Sequence, residues 1–432
     1  MTAEPPASKA PASKPGQRVH ATYWLETGGD PERVAAVMAG EQSTGTFTRL
    51  PHESEELLAR CGAVVECVTP VGEAARTSLP VEGRYSGPCR QAIVELSWGQ
   101  DNFGISLPNL MATVAGNLYE LRQVTGLRLV ELRLPDAYAH RYPGPQFGVA
   151  GTRRLAGVQR GPLIGTIIKP SVGLSPRQTA DIVRELCEGG IDFIKDDELQ
   201  ANGPHCPFDA RVDAVMEVIN GYAARTGKKV MYAFNVTEDL DIMLRHHESV
   251  VQHGGTCVMV SLNSVGIAGV HHLRQHAKVP IHAHRNGWGY LSRSPVLGFD
   301  YAAWQAFWRV AGVDHMHVNG LRNKFSEADD SVIRSARACL TPLFSPAEPT
   351  FEVMPVFSSG QWAGQAFDTY RALGRTDLIY AAGGGIAAHP GGIAAGVESI
   401  RHAWSEAERG RTLEEAMMNN AALRQAVEFF GK

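Results

Sequence analysis

Apolar and polar positions change rhythm along this chain. From Arg18 the segment RVHATYWLE alternates as a strand does, and Asp30-Pro31 then opens a helical stretch, PERVAAVMAG. Strand-like runs follow at AVVECVTP, AIVELSW and LRLVELRLP, with a helical pattern over LPNLMATVAGNLYEL. Strands and helices interleaved in this way predict a compact α+β domain packed on one sheet. The Gly- and Pro-rich YPGPQFGVAG then reads as a linker.

After it a strand, turn, helix unit repeats. LIGTIIK, IDFIK, KVMYAFNV, TCVMVSL, VPIHAH, VDHMHV, EVMPVF and DLIYAAG are short, nearly all-apolar strands. Helical patterns separate them, such as SPRQTADIVRELCEGG, where Ser175 can cap and Pro176 takes the first helical position. Eight such strands are what a parallel barrel buried on both faces requires. A doubly wound open sheet gives the same alternation, but the count of eight favours the barrel. The expected fold class is therefore α/β, a (β/α)8 TIM barrel preceded by an α+β, ferredoxin-like N-terminal domain. The expected boundaries are a disordered tail over 1–17, the N-terminal domain over 18–145, the barrel over 146–410 and a C-terminal helix over 411–432.

Composition narrows the function. Hydrophobic residues make up 44% and charged residues 20% of the 432, the balance of a globular protein with a large core. A formal net charge of -4 offers no polybasic field, so neither nucleic acid nor membrane is expected as a partner. Seven scattered cysteines without a C-x-x-C pair fit a reducing cytoplasm, not a disulfide framework. No run of about 18 apolar residues exists to span a membrane. The start, MTAEPPASKAPASKPGQ, lacks the apolar centre of a signal peptide.

Polar residues fall where the predicted barrel strands end, which is where barrel enzymes keep their chemistry. The first strand ends in Lys169 and the second in Lys195-Asp196-Asp197-Glu198. The fifth ends in His282-Ala283-His284-Arg285 and the sixth in His315-Met316-His317. The seventh runs into Ser358-Ser359-Gly360 and the eighth into Gly383-Gly384-Gly385. Six of eight strands thus deliver reactive or anion-binding groups to one rim.

Each cluster has a chemical and a plain reading. Alternation turns Lys195 and Asp197 to one side, and the turn can bring Glu198 beside them. Two carboxylates suit Mg2+. An ammonium beside them would repel the ion, whereas an amine that has reacted with CO2 becomes an anionic carbamate and a third oxygen ligand. A salt-bridged turn is the plain alternative. Lys169 can serve in proton transfer or simply extend to solvent. Of the histidine pairs, one could ligate a metal in a hydrolase, or Arg285 with His317 could hold a phosphate. His282 and His315, set back from the strand ends, suit structural roles. Backbone N–H groups at Gly383-Gly384 make a candidate anion site before a helix. Lys324, in the loop NGLRNKFSE, could close over a substrate or stand in solvent.

Together these segments resemble the RuBisCO family over nearly the whole chain, and in particular its RuBisCO-like (form IV) branch. GGIDFIKDDE is similar to that family's metal-site strand, and GTIIKPSVGLS, HAHR, DHMHVNGLRNK, the SSG turn and GGG-x-x-x-HP follow in the family's order. The resemblance implies Mg2+ held by carbamylated Lys195 with Asp197 and Glu198. It also implies Lys169 as the proton-transfer lysine, His284 as an active-site histidine and Lys324 as the mobile-loop lysine. Arg285, His317 and Ser358 would form one phosphate pocket, and Thr46, Gly360, Gly383 and Gly384 the other. EQSTGTFT looks like the stretch that reaches into a neighbouring subunit's site, which implicates Glu41, Thr46 and Phe47 and implies a homodimer or a multiple of dimers. Asn117, in AGNLYE, matches a metal-adjacent position.

Departures from the pattern bear on the activity. Carboxylases carry a second lysine where this chain has Ser171, a tryptophan at Phe47, a histidine at Trp288 and a glycine at Ser359, and the loop before Lys324 is altered. These changes argue against CO2 fixation by a true ribulose-bisphosphate carboxylase. The methionine-salvage enolases of the family, acting on 2,3-diketo-5-methylthiopentyl 1-phosphate, use an extra lysine from the N-terminal domain, and this chain has none between Lys14 and Lys169. The remaining branches imply a Mg2+-dependent enzyme stabilising the enediolate of a phosphorylated keto-sugar acid in carbohydrate catabolism. The implied reaction is C–C cleavage, by a decarboxylase or a transcarboxylase/hydrolase of the 3-oxo-isoapionate 4-phosphate type.

Overall fold

Burial along the first strand falls on every second residue, with Val19, Ala21, Tyr23 and Leu25 fully buried. The computed structural model describes residues 18–45, 50–80 and 87–432. The N-terminal tail, and with it Thr46 and Phe47 further on, lies outside the described residues. Two compact units divide the chain. One holds the residues up to Tyr142 with Trp288–Phe307 and Leu343–Thr350, and the other holds Pro143–Gly287, Trp308–Pro342 and Phe351–Lys432.

In the first unit β1 (Arg18–Thr27), β2 (Val64–Ala74), β3 (Cys89–Gly99) and β4 (Gly126–Arg133) form an antiparallel sheet in the order β4-β1-β3-β2. Two helices, Pro31–Glu41 and the shorter Glu55–Cys61, lie between β1 and β2, and another, Leu107–Val114, lies between β3 and β4. This split βαβ arrangement is the ferredoxin-like topology expected from the sequence. Val34, Ala35, Met38, Leu110 and Val114 on those helices are buried, as are Ala92, Val94, Leu96 and Trp98 on β3. The predicted helix over LPNLMATVAGNLYEL stops early: Ala115 ends its first part, and a 3-10 turn takes Asn117–Glu120.

A fifth strand escaped the sequence pattern, because Leu297–Phe299 is only three residues long. It pairs in parallel with β4, and Arg128 staples it there through Asp300 Oδ1 at 2.9 Å and the Phe299 carbonyl at 2.6 Å.

The second unit holds the expected barrel with other bounds: Trp288–Phe307 and Leu343–Thr350 fall in the first unit, and 411–432 carries two helices, Leu413–Met418 and Ala421–Phe430, because Asn419-Asn420 ends the one and caps the other. β5 (Leu163–Ile167), β6 (Phe193–Lys195), β7 (Met231–Asn235), β8 (Cys257–Ser261) and β9 (Ile281–His284) come first. With Leu297–Phe299 as β10, the barrel resumes at β11 (His315–His317), β12 (Met354–Phe357) and β13 (Ile379–Ala381). These eight strands close in chain order, each parallel to its neighbours. Leu163, Phe193, Met231, Ala233, Cys257, Met259, Met354, Val356, Ile379 and Ala381 fill one core. Gly165 leaves the room that Phe193 occupies, since a Cβ there would lie 3.1 Å from the Phe193 ring. The segment read as a linker is partly helical, with a helix running over Gly148–Ala156. Among the described residues no helix is long and apolar enough to cross a membrane.

Candidate active site at the barrel mouth

Period-two geometry carries inward-facing side chains from the apolar core up to a polar layer. On β6 Phe193 is core, and Lys195, two residues on, is also inward and only 1% exposed. Its Nζ donates to the Asp196 carbonyl at 2.8 Å and lies 3.8 Å from Glu198 Oε2. Burial lowers the basicity of this amine, against the opposing pull of Glu198, Asp197 and Asp196.

The four residues Lys195–Glu198 divide their work. Asp196 turns into the protein, where it accepts from Tyr232 OH at 2.6 Å, the Asn235 N–H at 2.8 Å and Arg211 at 3.2 Å. Asp197 faces Lys169, with Nζ to Oδ2 at 2.5 Å, and accepts the Leu199 N–H at 3.1 Å. Burial works against its ionised form, but the Lys169 hydrogen bond and the Leu199 amide outweigh this and hold its carboxyl below the usual range. Lys169 Nζ also donates to Ser171 Oγ at 2.9 Å. Asn235, whose amide nothing in the sequence marks out, holds the segment down by donating to the Glu198 carbonyl at 3.2 Å.

The expected histidine pairs form one buried cluster. Ring centroids lie 4.5 Å apart for His284 and His317, and 4.8 Å for His282 and His317. Burial first, and neighbouring positive groups second, hold His282, His284 and His317 well below the usual imidazole pKa, so all three are neutral. His284 Nε2 lies 3.5 Å from Glu198 Oε2. His315 is set back and meets Thr152 Oγ1 at 2.7 Å.

Beyond His284 the groups suit an anion. His317 Nδ1 lies 3.1 Å from Ser358 Oγ. Arg285 donates to Glu327 Oε2 at 2.6 Å, and Asn319 donates to the same oxygen at 2.8 Å. Ser359 donates to Asn319 Oδ1 at 2.8 Å. Ser359, Asn319 and Glu327 thus form a chain of hydrogen bonds that braces Arg285. Glu327 was invisible in sequence because it lies in a loop, with no strand period to place it.

Gly383 caps a short helix, Gly384–Ala387. Its neighbour Gly385 must lack a side chain, because a Cβ would fall 2.4 Å from the Gln361 carbonyl. Gly360, at φ 86°, lies against Lys324, whose N–H donates to the Ser359 carbonyl at 3.2 Å. Lys324 Nζ stands 5.2 Å from the Phe325 ring centroid. Asn117 and Glu41 belong to the first unit, where Asn117 Nδ2 lies 3.4 Å from Glu41 Oε1.

The donor set fits a hard divalent cation under one condition. Among the described residues no three His, Cys, Asp or Glu side chains gather to hold a metal. Asp197 and Glu198 supply two carboxylates, and Lys195 is a buried amine of lowered basicity beside them. Conversion of that amine to a carbamate adds the missing anionic oxygens and removes the positive charge. The same absence leaves the alternative of a histidine-ligated metal hydrolase without a ligand set among the described residues.

Comparison with known proteins gives the family. The family model for the ribulose bisphosphate carboxylase large chain, catalytic domain, matches residues 148–430, and that for its N-terminal domain matches residues 13–138. This chain belongs to that family. A 3-oxo-isoapionate-4-phosphate transcarboxylase/hydrolase of Xanthobacter autotrophicus is 59% identical over 414 residues, 96% of this chain and 99% of the relative. A 3-oxo-isoapionate-4-phosphate decarboxylase of Rhizobium rhizogenes is 45% identical over 388 residues, 89% of this chain and 92% of the relative. The crystal structure of a rubisco-like protein from Burkholderia fungorum superposes with a TM-score of 0.90 at 49% identity, covering 96% of this chain and 100% of that one.

Proposed function

We propose that this chain acts on 3-oxo-isoapionate 4-phosphate, or a phosphorylated keto-sugar acid of that class, and breaks a carbon–carbon bond beside its keto group as a transcarboxylase/hydrolase. The observation that carries this reading is the buried Lys195 amine beside Glu198 at the barrel rim, in a chain 59% identical to an enzyme of that name. CO2 adds to the neutral amine and one proton leaves, and the burial that lowers its basicity favours that form. Carbamylated Lys195, Asp197 and Glu198 would hold Mg2+, which when bound supplies a Lewis acid for the keto oxygen.

The chain's own groups supply the rest. Arg285, His317 and Ser358 grip the phosphate, which does not react, so its binding energy positions the carbons. Backbone N–H groups at Gly383 and Gly384, with Gly360 and Thr46, serve a second anionic end. Lys169 returns a proton to the carbon that loses its bond. His284, neutral and beside Glu198, orients the attacking water, and Lys324 covers the site. A homodimer completes it if Glu41, Thr46 and Asn117 reach a neighbour's barrel, which sedimentation of the wild type would test.

The deciding experiment follows substrate labelled with 13C at its carboxyl by NMR, with Mg2+ and bicarbonate present. Label retained in an organic acid supports a transcarboxylase/hydrolase. Label released as CO2 shifts the reading to a decarboxylase, and no turnover ends it.

A further inference from the structure

Sequence alone leaves two of the eight barrel strands, β7 and β8, without a chemical group at the rim. Asn235 ends β7 and braces Glu198. Ser261 ends β8, and nothing above uses it. Cys257 and Met259 on the same strand face the barrel core, so alternation turns Ser261 inward too. That places it in the layer of Lys195, Asn235, His284, His317 and Ser358. Its backbone is in register with His284.

The hydroxyl is conspicuous for what it does not do. Ser261 is 2% exposed, yet its Oγ meets no hydrogen-bond partner. Its own N–H is satisfied by Thr237 Oγ1 at 2.9 Å. Ser261 also precedes the single turn Leu262–Val265, which Gly266 at φ 77° breaks from the helix running on to His276, and its hydroxyl bonds no N–H of that turn. A hydroxyl that is buried without a partner, on a strand position that faces a polar layer, is costly unless something binds there.

We propose that Ser261 is a ligand-contacting residue of this site, its hydroxyl hydrogen-bonding an oxygen of the substrate's carbon skeleton and not of its phosphate. Order around the rim decides between the two. Ser358 and His317, the phosphate side, lie beyond His284 from Ser261. Asn235 and His284, on either side of Ser261, both turn to Glu198, at 3.2 Å to its carbonyl and 3.5 Å to Oε2. Ser261 therefore stands on the acid side, where the reacting carbons would lie. This inference rests on the rim being the substrate site but not on the identity of the substrate.

The test compares wild type with Ser261→Ala, using calorimetry with 3-phosphoglycerate and with inorganic phosphate, and thermal unfolding without ligand. Wild type should bind 3-phosphoglycerate more tightly than phosphate. Ser261→Ala should weaken 3-phosphoglycerate about tenfold, the loss of one buried hydrogen bond, while phosphate changes less than about twofold. The ligand-free Tm should not fall, because the hydroxyl has no partner to lose. Ser261→Thr, which keeps the hydroxyl, should restore binding, and Ser261→Cys serves if the alanine variant does not fold. Equal losses for both probes, no loss for either, a lower ligand-free Tm, or a wild type that does not distinguish the probes would each overturn the proposal. Failure of the substrate reading looks different: the Ser261 increment would persist while 3-oxo-isoapionate 4-phosphate went unturned.

Discussion

His282 Nε2 and His317 Nε2 lie 2.8 Å apart inside the barrel, so a single proton sits between two neutral rings. His282 Nδ1 is buried without a partner, and a buried N–H left unpaired costs more than an unfilled lone pair. His282 therefore donates from Nε2, which leaves His317 to donate from Nδ1 to Ser358 Oγ at 3.1 Å. With Ser359 donating to Asn319, the Ser358 hydroxyl hydrogen is left to Ser359 Oγ at 3.4 Å, a long contact that an anion can displace. Side-chain 15N NMR should find His282 as the Nε2–H tautomer and His317 as the Nδ1–H tautomer. His282→Phe should weaken inorganic phosphate binding about tenfold, and His282→Gln, which keeps a donor, should weaken it less. The opposite tautomers would refute the relay.

Replacing Lys195 tests the cation site directly. Lys195→Met fills the same buried space without an amine, so its Tm should equal or exceed that of wild type. Its calorimetric titration with Mg2+ in bicarbonate should show no binding, whereas wild type binds. Tight Mg2+ binding by the variant would remove Lys195 from the ligand set.

Lys169 lies within reach of Asp197 at 2.5 Å, with its side chain partly open to solvent. Lys169→Met should lower kcat by about 10²–10⁴-fold with a small change in KM, the pattern of a lost proton donor. A large rise in KM with kcat preserved would assign it to binding instead.

Stability of the barrel depends on a pair remote from the rim. Arg274 and Asp314 are both 0% exposed, with NH1 to Oδ2 at 2.9 Å. Asp314 also accepts backbone N–H groups of Phe147 at 2.7 Å, Gly148 at 3.0 Å and Ile281 at 2.9 Å. Asp314→Ala strands the guanidinium and three amides, and should cost about 3–5 kcal/mol in urea unfolding. A cost below about 1 kcal/mol would show that the pair is dispensable.

Acid should loosen the fold through two histidines buried neutral. Burial, with Arg274 nearby, takes His247 down to about 4, and burial takes His315 down to about 3. Each accepts or shares a hydrogen bond as the neutral ring, His247 from the Lys278 N–H at 3.1 Å and His315 with Thr152 at 2.7 Å. The unfolded chain, titrating near ~6.5, binds more protons below that pH, so their stabilisation is complete above 6.5 and drains as pH falls through about 4 and 3. Tm measured from pH 7.5 to 4 should fall, and His247→Gln should flatten the upper part of that slope. A Tm independent of pH over this range would contradict the assignment.

Much of the site could be read in advance because a barrel strand obeys a period of two and its end has one function. That rule placed Lys195, His284 and His317 on one rim from spacing alone. Applied to β7 and β8 it would have found Asn235 and Ser261 as well, but amide and hydroxyl groups do not stand out in a sequence as lysines and histidines do. Loop residues had no such rule. Glu327 bonds Arg285 across 42 positions of chain, and no local pattern records a pairing made by closure of the barrel.

The order of strands and helices, the apolar core and the chemical types at the strand ends were determined by the sequence itself, since each follows from short-range periodicity and backbone propensity. Only the tertiary structure decided which neighbour each polar group took: Asp196 to Arg211, Asp197 to Lys169, Glu198 toward Lys195 and His284. Three adjacent carboxylates are chemically alike on paper. Burial and the direction of each side chain after the strand ends make one a structural anchor and leave two facing the mouth.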